Sequence, residues 1–305
     1  MGSEACDKVK TLPEASKLIN DGDTITFSGI SVSAHPVAFA HEIIRQRKRN
    51  LEIAGSGAWH VNNLLIGAGC VDRMIIIADS AEIGGVSPAL RRAVEKGELT
   101  VEDYSYFAVA CRFMAAAIGV PFLPTKSMLG SDMLRYTWLE EGSKFRMMEC
   151  PFSGEKVVLV PALKPDVAVI HAQYADEDGN VQMLGPTALA DEQARASHKV
   201  IATVEEIVSS SVIRSRPELT LLPSFIVDAI VEVPYGAHPT SLYACYDYDI
   251  DHLKYAHEQS KDEEKFKRYL DEYVYGVDSH LGYLKRIGGI ERLLQLRARS
   301  YGPQR

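Results

Sequence analysis

Cysteine is scarce and scattered in this chain of 305 residues: five thiols, at positions 6, 70, 111, 150 and 245, with no C-x-x-C pair. An odd number at such wide gaps fits neither a disulfide framework nor a zinc knuckle, so most are expected to be inert core thiols. The nine histidines form no H-E-x-x-H or H-x-H arrangement, and no metal site is expected. Positive charge is also short, with 33 basic against 41 acidic side chains and a net charge of -8. A duplex or membrane binder carries the opposite balance, so neither nucleic acid nor membrane is an expected partner. No apolar run approaches the roughly 20 residues needed to cross a bilayer. The opening MGSEACDKVKTLPEA has no apolar signal core, and Cys6 stands where myristoylation needs serine or threonine. The expected location is cytoplasmic. No G-x-S-x-G, P-loop or Ser/His/Asp order is present.

What is present is an α/β grammar. Residues 24–28 and 51–54 are short runs suited to strands, and 74–78 is apolar at every position, as in a parallel strand covered on both faces. Pro36 opens a helix with Val37, Ala40 and Ile44 on one face and Arg45, Arg47, Lys48 and Arg49 at its carboxyl end. A second helix is predicted over 62–70 and a longer one over 105–118, ended by Gly119 and Pro121. The stretch 135–154 reads as an irregular surface excursion. Further strands are expected at 156–160, 166–171, 199–204 and 225–233, with a hairpin turn at 178–180. From His252 the chain reads as a charged amphipathic tail, striped by Phe266, Tyr269, Leu270 and Tyr273. The expectation is one doubly wound, largely parallel sheet over 1–305, with helical insertions and a helical C-terminal extension at 252–305.

In such sheets ligands bind beyond the carboxyl ends of strands, which singles out the loops 28–35, 55–60 and 79–85. Glycine there lets backbone amides approach an anion. Gly55 and Gly57 imitate a dinucleotide fingerprint with Asp79 as the ribose acid, but its third glycine position is His60, and a nicotinamide enzyme is not the expected reading. Glu82, before Gly84-Gly85, is a weak nucleophile candidate. Asp176, Asp178 and Asn180 lack the glycine and glutamate of a calcium loop and read as a plain turn. Asp247, Asp249 and Asp251 read as an acidic turn before a helix. Lys126 has the chemistry to pair with a carboxylate or phosphate.

Longer motifs carry a resemblance. Gly97-Glu-Leu-Thr-Val-Glu-Asp-Tyr-Ser105, Ala115-Ala-Ala-Ile-Gly-Val-Pro-Phe-Leu-Pro124, Leu129-Gly-Ser131, Asp166-Val-Ala-Val-Ile-His-Ala-Gln173, Pro234-Tyr-Gly-Ala-His-Pro239 and Tyr246-Asp-Tyr-Asp249 occur in order over nearly the whole chain. Together they resemble the α subunits of the glutaconate type of class I CoA-transferase. The resemblance implies that fold, a β chain of similar fold in a heterotetramer or hetero-octamer, acyl-CoA and a carboxylic acid (a dicarboxylate such as glutaconate) as substrates, and no permanently bound cofactor. It also implies a ping-pong route through a glutamyl-CoA thioester, with the nucleophilic glutamate on the β chain. This chain would then line the site through Ser28, Gly29, Ile30, Ser31, Ser80, Tyr106, Lys126 and Ser131, with His238 a weak addition. Where the family signature has Gly-Gly-Phe, this chain reads Ser28-Gly29-Ile30, and the Ser28 hydroxyl is the expected substitute for the lost glycine. Related ring-opening hydrolases of steroid-derived CoA thioesters carry a glutamate where this chain has Tyr106, yet share a basic residue near Lys126. A hydrolase or decarboxylase on the same scaffold, or a non-catalytic scaffold chain, are the alternatives.

Overall fold

Short β-branched runs separated by amphipathic segments produce, in the computed structural model, an open parallel sheet with helices on both faces. The structure describes residues 7–55, 57–77, 79–81, 84–137, 139 and 142–297. The first half runs α1 (Leu12–Ser16), β1 (Thr24–Phe27), α2 (Val37–Arg45), β2 (Leu51–Ala54), α3 (Trp59–Gly67) and β3 (Val71–Ile76). A hairpin of β4 (Ser80–Ala81) and β5 (Gly85–Val86) follows, then α4 (Pro88–Lys96) and β6 (Thr100–Asp103). The middle holds α5 (Tyr106–Ala117), β7 (Phe122–Thr125), β8 (Arg146–Glu149) and β9 (Lys156–Pro161). The second half runs β10 (Val167–Ala175), β11 (Val181–Gln182), α6 (Ala190–Ala196), β12 (Lys199–Ile207), α7 (Ser210–Ser215), β13 (Thr220–Leu222) and β14 (Ala229–Glu232). Four α-helices close the described chain: α8 (Ile250–Gln259), α9 (Glu263–Leu270), α10 (His280–Arg286) and α11 (Gly289–Leu296).

Across the main sheet the order is β6-β3-β2-β1-β10-β12-β14, every pair parallel. The first half therefore grows outward from β1 in one direction and the second half from β10 in the other. The order reverses between β1 and β10, which is where an open α/β sheet places its ligand crevice. Strand β10 overhangs β1, and Tyr174 and Ala175 pair antiparallel with Gln182 and Val181 of β11. The doubly wound, largely parallel sheet is thus present.

Strand periodicity divides the core. Val167, Val169, Ile201, Ala229 and Val231 pack with α1 to α4 and with Phe266 and Tyr269 of α9. The alternate positions Ala168, Ile170, Ala172, Val200, Ala202, Val204 and Ile230 pack on the other side with Ala190 and Ala194 of α6. Burial of both faces explains why these strands read as continuous apolar runs rather than alternating ones.

Five local expectations shift. Helix α3 begins three residues before the predicted start, because Trp59 and His60 are themselves buried and extend its packed face. Strand β3 ends at Ile76, so the described part of the apolar run, 74–77, already reaches past the strand. The irregular stretch 135–154 contributes β8, which completes a separate antiparallel sheet β7-β9-β8. Residues 225–233 split into a 3-10 turn, Ser224–Ile226, and β14, and the tail's first helix starts at Ile250 rather than His252.

Candidate active site at the carboxyl edge of the sheet

The turn after β1 lies at the point of strand-order reversal. Ser28 is fully buried, and its hydroxyl donates to the Ala34 carbonyl at 3.1 Å while accepting the His171 amide at 2.9 Å. The expected hydroxyl donor to an oxyanion is therefore committed to holding the turn, a correction that follows from burial. Gly29 has φ of +117°, and a Cβ there would lie 2.5 Å from His35 Cδ2. Only glycine meets both demands. Ile30 and Ser33 exchange hydrogen bonds of 3.1 and 3.0 Å, and Ser31, at the tip with φ of +57°, takes a left-handed conformation. Ile30 points outward and is 37% exposed.

Behind β2, a Cβ on Gly57 would fall 2.8 Å from the Gly29 carbonyl oxygen. The β1 and β2 loops thus meet backbone to backbone, presenting peptide groups where side chains would otherwise stand. Beside this turn a cavity of about 240 Å³ is lined by Val32, Ser33, Ser241, Tyr243, Tyr246 and Tyr248. The loop after β14 braces the turn: Ala34 N–H donates to Ser241 O at 2.8 Å, Ser241 N–H to Val32 O at 2.8 Å and Ala38 N–H to Gly236 O at 2.9 Å.

Farther along the edge, β3 delivers Asp79 and Ser80. Asp79 is buried and accepts the Asn62 side-chain amide at 3.0 Å. Burial pushes its carboxyl up to about 7, only partly opposed by that hydrogen bond. Ser80 is exposed in the β4–β5 hairpin, opposite Val86. Glu82 lies outside the described residues.

Strand β6 delivers the third group. Ser105 caps α5 by accepting the Ala108 amide, and its hydroxyl is 2.5 Å from that of Ser127. That contact brings the 126–131 turn against the start of α5, where Tyr106 stands 38% exposed. Burial first and Glu192 second push the Tyr106 phenol upward, so it stays a hydrogen-bond donor at neutral pH. Lys126 pairs with Glu155 at 2.6 Å, both side chains more than half exposed. Ser131 donates to the Met128 carbonyl at 2.7 Å, closing its own turn. Ser28 to Ser31, Ser80 and the Tyr106–Lys126–Ser131 group thus belong to successive strands of one edge, not to one tight cluster.

His238 is fully buried; its Nδ1 lies 2.7 Å from Tyr283 Oη and its Nε2 3.2 Å from Asp249 Oδ2. Burial holds its pKa below the ordinary value. It ties the tail to the β14 loop and faces no open site. Asp249 caps α8 through the His252 amide and pairs with Arg292, as an acidic turn before a helix should. Asp176 likewise accepts the Gly179 and Asn180 amides, a plain turn. Among the described residues no group of three or more His, Cys, Asp or Glu side chains is placed to hold a metal ion, and no helix is long and apolar enough to cross a membrane. Sequence reasoning passed over His171, Glu205 and Tyr246, which converge beneath the β14 loop; β10, β12 and a later loop supply them, and no local motif joins them.

Comparison with known proteins places this geometry. The family model for Coenzyme A transferase matches residues 9–233. The chain is 37% identical to the A chain of the glutaconate CoA-transferase of Acidaminococcus fermentans over 95% of its length, covering 94% of that protein. It is 35% identical to the corresponding chain of the 3-oxoadipate CoA-transferase of Pseudomonas knackmussii over 88% of its length, covering 93% of that protein. An uncharacterized protein of Archaeoglobus fulgidus is 38% identical over 96% of this chain, which spans 65% of that protein's length. The crystal structure of glutaconate coenzyme A-transferase from Acidaminococcus fermentans matches with a TM-score of 0.90 at 38% identity, covering 95% of this chain and 96% of the other. The AibA/AibB decarboxylase, as its C56S variant, matches with a TM-score of 0.75 at 32% identity, covering 87% and 99%.

Proposed function

Because the chain belongs to the coenzyme A transferase family, we propose that it is the α subunit of a two-chain CoA-transferase acting on an acyl-CoA and a free dicarboxylate of the glutaconate class. The observation that carries this reading is the close approach of Gly57 to the Gly29 carbonyl beside the point of strand-order reversal, which leaves no room for a side chain at either glycine. A backbone N–H presented by this turn suits charge that develops on a thioester oxygen, because it needs no reorganisation during the reaction.

The partner chain supplies the nucleophile. Its glutamate attacks the acyl-CoA carbonyl and expels CoA thiolate, leaving a mixed anhydride. The thiolate then attacks the glutamyl carbonyl and releases the first acid, giving a glutamyl-CoA thioester. The acceptor carboxylate runs the two steps in reverse. An anhydride retains the thioester's energy, which water would dissipate, so the site must be closed against solvent by the second chain. On this side of the cleft the Gly29 turn stabilises the oxyanion, while Tyr106 and Lys126 meet the polar groups of the substrates.

The test uses this chain purified with its partner, with acetyl-CoA and glutaconate as donor and acceptor. Borohydride or hydroxylamine added with acetyl-CoA should abolish transfer by trapping the glutamyl thioester, and should have no effect without acyl-CoA. Resistance to trapping, with net hydrolysis instead of transfer, would favour the hydrolase reading, and carbon dioxide release the decarboxylase reading that the AibA/AibB likeness suggests. Full transfer by this chain alone would overturn the proposal.

A further inference from the structure

Beneath the Gly29 turn lies a carboxylate that the reaction scheme leaves unused. Glu205, near the carboxyl end of β12, has a side chain only 13% exposed and lies against the buried His171 imidazole. Its Oε1 accepts the Tyr246 hydroxyl at 2.8 Å and the Gly236 amide at 3.3 Å, and lies 3.1 Å from His171 Nε2. Its Oε2 accepts the Tyr235 amide at 2.7 Å. His171 Nδ1 lies 2.9 Å from Thr203 Oγ1, and in the tautomer where it accepts that hydroxyl the Nε2–H donates to the Glu205 carboxylate. Charge-assisted hydrogen bonds of this kind are shorter and stronger than neutral ones.

All four partners belong to β10 or to the segment 235–246, and both lead to the turn. The His171 backbone amide donates to Ser28 Oγ, fixing the turn's start. The 235–241 loop, held by Glu205 at Tyr235 and Gly236, makes the hydrogen bonds to Val32, Ala34 and Ala38 that fix its end. The fit leaves no slack: a Cβ on Gly236 would lie 2.8 Å from His171 Cε1 and 2.7 Å from the Val233 carbonyl oxygen.

We propose that Glu205, acting through His171 and the Tyr235–Gly236 backbone, is the positioning residue that holds the Gly29 turn in its transfer-competent geometry. This rests on the reading of that turn as part of the CoA-transfer site. A turn displaced by even an ångström would lose orientation toward the reacting carbonyl without losing substrate affinity.

Glu205→Gln keeps the side chain's size but removes the charge, and Glu206→Gln, on the exposed neighbour, is the control. In the two-chain complex with acetyl-CoA and glutaconate, Glu205→Gln should lower kcat by roughly 10- to 100-fold and leave KM within about twofold. Hydrogen exchange at the amides of Ala34, Ala38 and Ser241 should quicken by about tenfold or more, with β1 to β3 unchanged. Unchanged kcat, unchanged exchange at these amides, or acceleration spread evenly over the sheet would each overturn the inference. Gly29→Ala separates the two claims: transfer that survives it refutes the site reading, whereas the exchange pattern of Glu205→Gln still decides the positioning role.

Discussion

Gly67 shows how a single residue decides a contact. A Cβ there would lie 2.0 Å from Phe266 Cε1, and Phe266 is buried and stacked on Tyr269, so it has nowhere to move. Gly67→Ala should cost about 1–3 kcal/mol by overpacking, read as a lowered urea midpoint. Lys126 is the opposite case. Its pair with Glu155 is solvent-exposed, and Lys126→Ala should change stability by less than about 1 kcal/mol. If the ammonium meets a substrate anion, the same variant raises KM for acyl-CoA; an unchanged KM removes Lys126 from the site. Reading residue types alone singled out the turn of Ser28 to Ser31 but assigned the Ser28 hydroxyl to the wrong task. Its burial comes from strands that lie about 140 residues apart in sequence, as the Ser28–His171 contact illustrates.

At the scale of elements, α5 and the segments it anchors are the instructive unit. Ser105 both caps the helix and contacts Ser127, so Ser105→Ala should cost about 1 kcal/mol and speed exchange at the Ser127 and Ser131 amides. The excursion after Ser131 is held by a buried ion pair, Lys144 with Glu102, both under a tenth exposed. Lys144 also donates to Tyr136 O, and Glu102 accepts the Thr137 hydroxyl. Lys144→Met should cost about 3–5 kcal/mol, because it takes the cation away from a carboxylate held in the interior. Urea unfolding of Lys144→Met and of Lys144→Met combined with Glu102→Leu checks this: the pair of apolar replacements should recover most of the loss. In the sequence this stretch reads as irregular because its order comes from that pairing and from β9, neither of which leaves a periodic signature.

For the whole molecule, eight of the nine histidines are buried: His35, His41, His60, His171, His238, His252, His257 and His280. Burial lowers His35 and His252 to about 3 and His280 to about 4. The unfolded chain takes up protons at these sites below its ordinary value near 6.5, while the fold refuses them. Their contribution is therefore intact above about 6.5 and is lost as pH falls toward 4, at about 1.4 kcal/mol per pH unit for each imidazole. Asp79, raised to about 7, acts with the opposite sign in part of this window, but it is one group against three. The urea midpoint should be nearly flat from pH 7 to 8 and fall steeply below 6, and a midpoint equal at pH 7 and 5 would contradict this account. His252→Gln should flatten the slope.

The sequence by itself determined the α/β class, the parallel character of the central strands and the place of the glycine turn, because each is written in local periodicity and in short-range steric limits. It also located the hairpin at 178–180 and the charged helical tail, where turn chemistry and amphipathic spacing act over a few residues. Only the tertiary structure decided that Ser28 is a brace, that His238 ties the tail to the β14 loop, and that Glu205 and His171 meet beneath the turn. Those outcomes depend on burial and on contacts between strands brought side by side by the reversal of order between β1 and β10, and no local pattern records such long-range pairing.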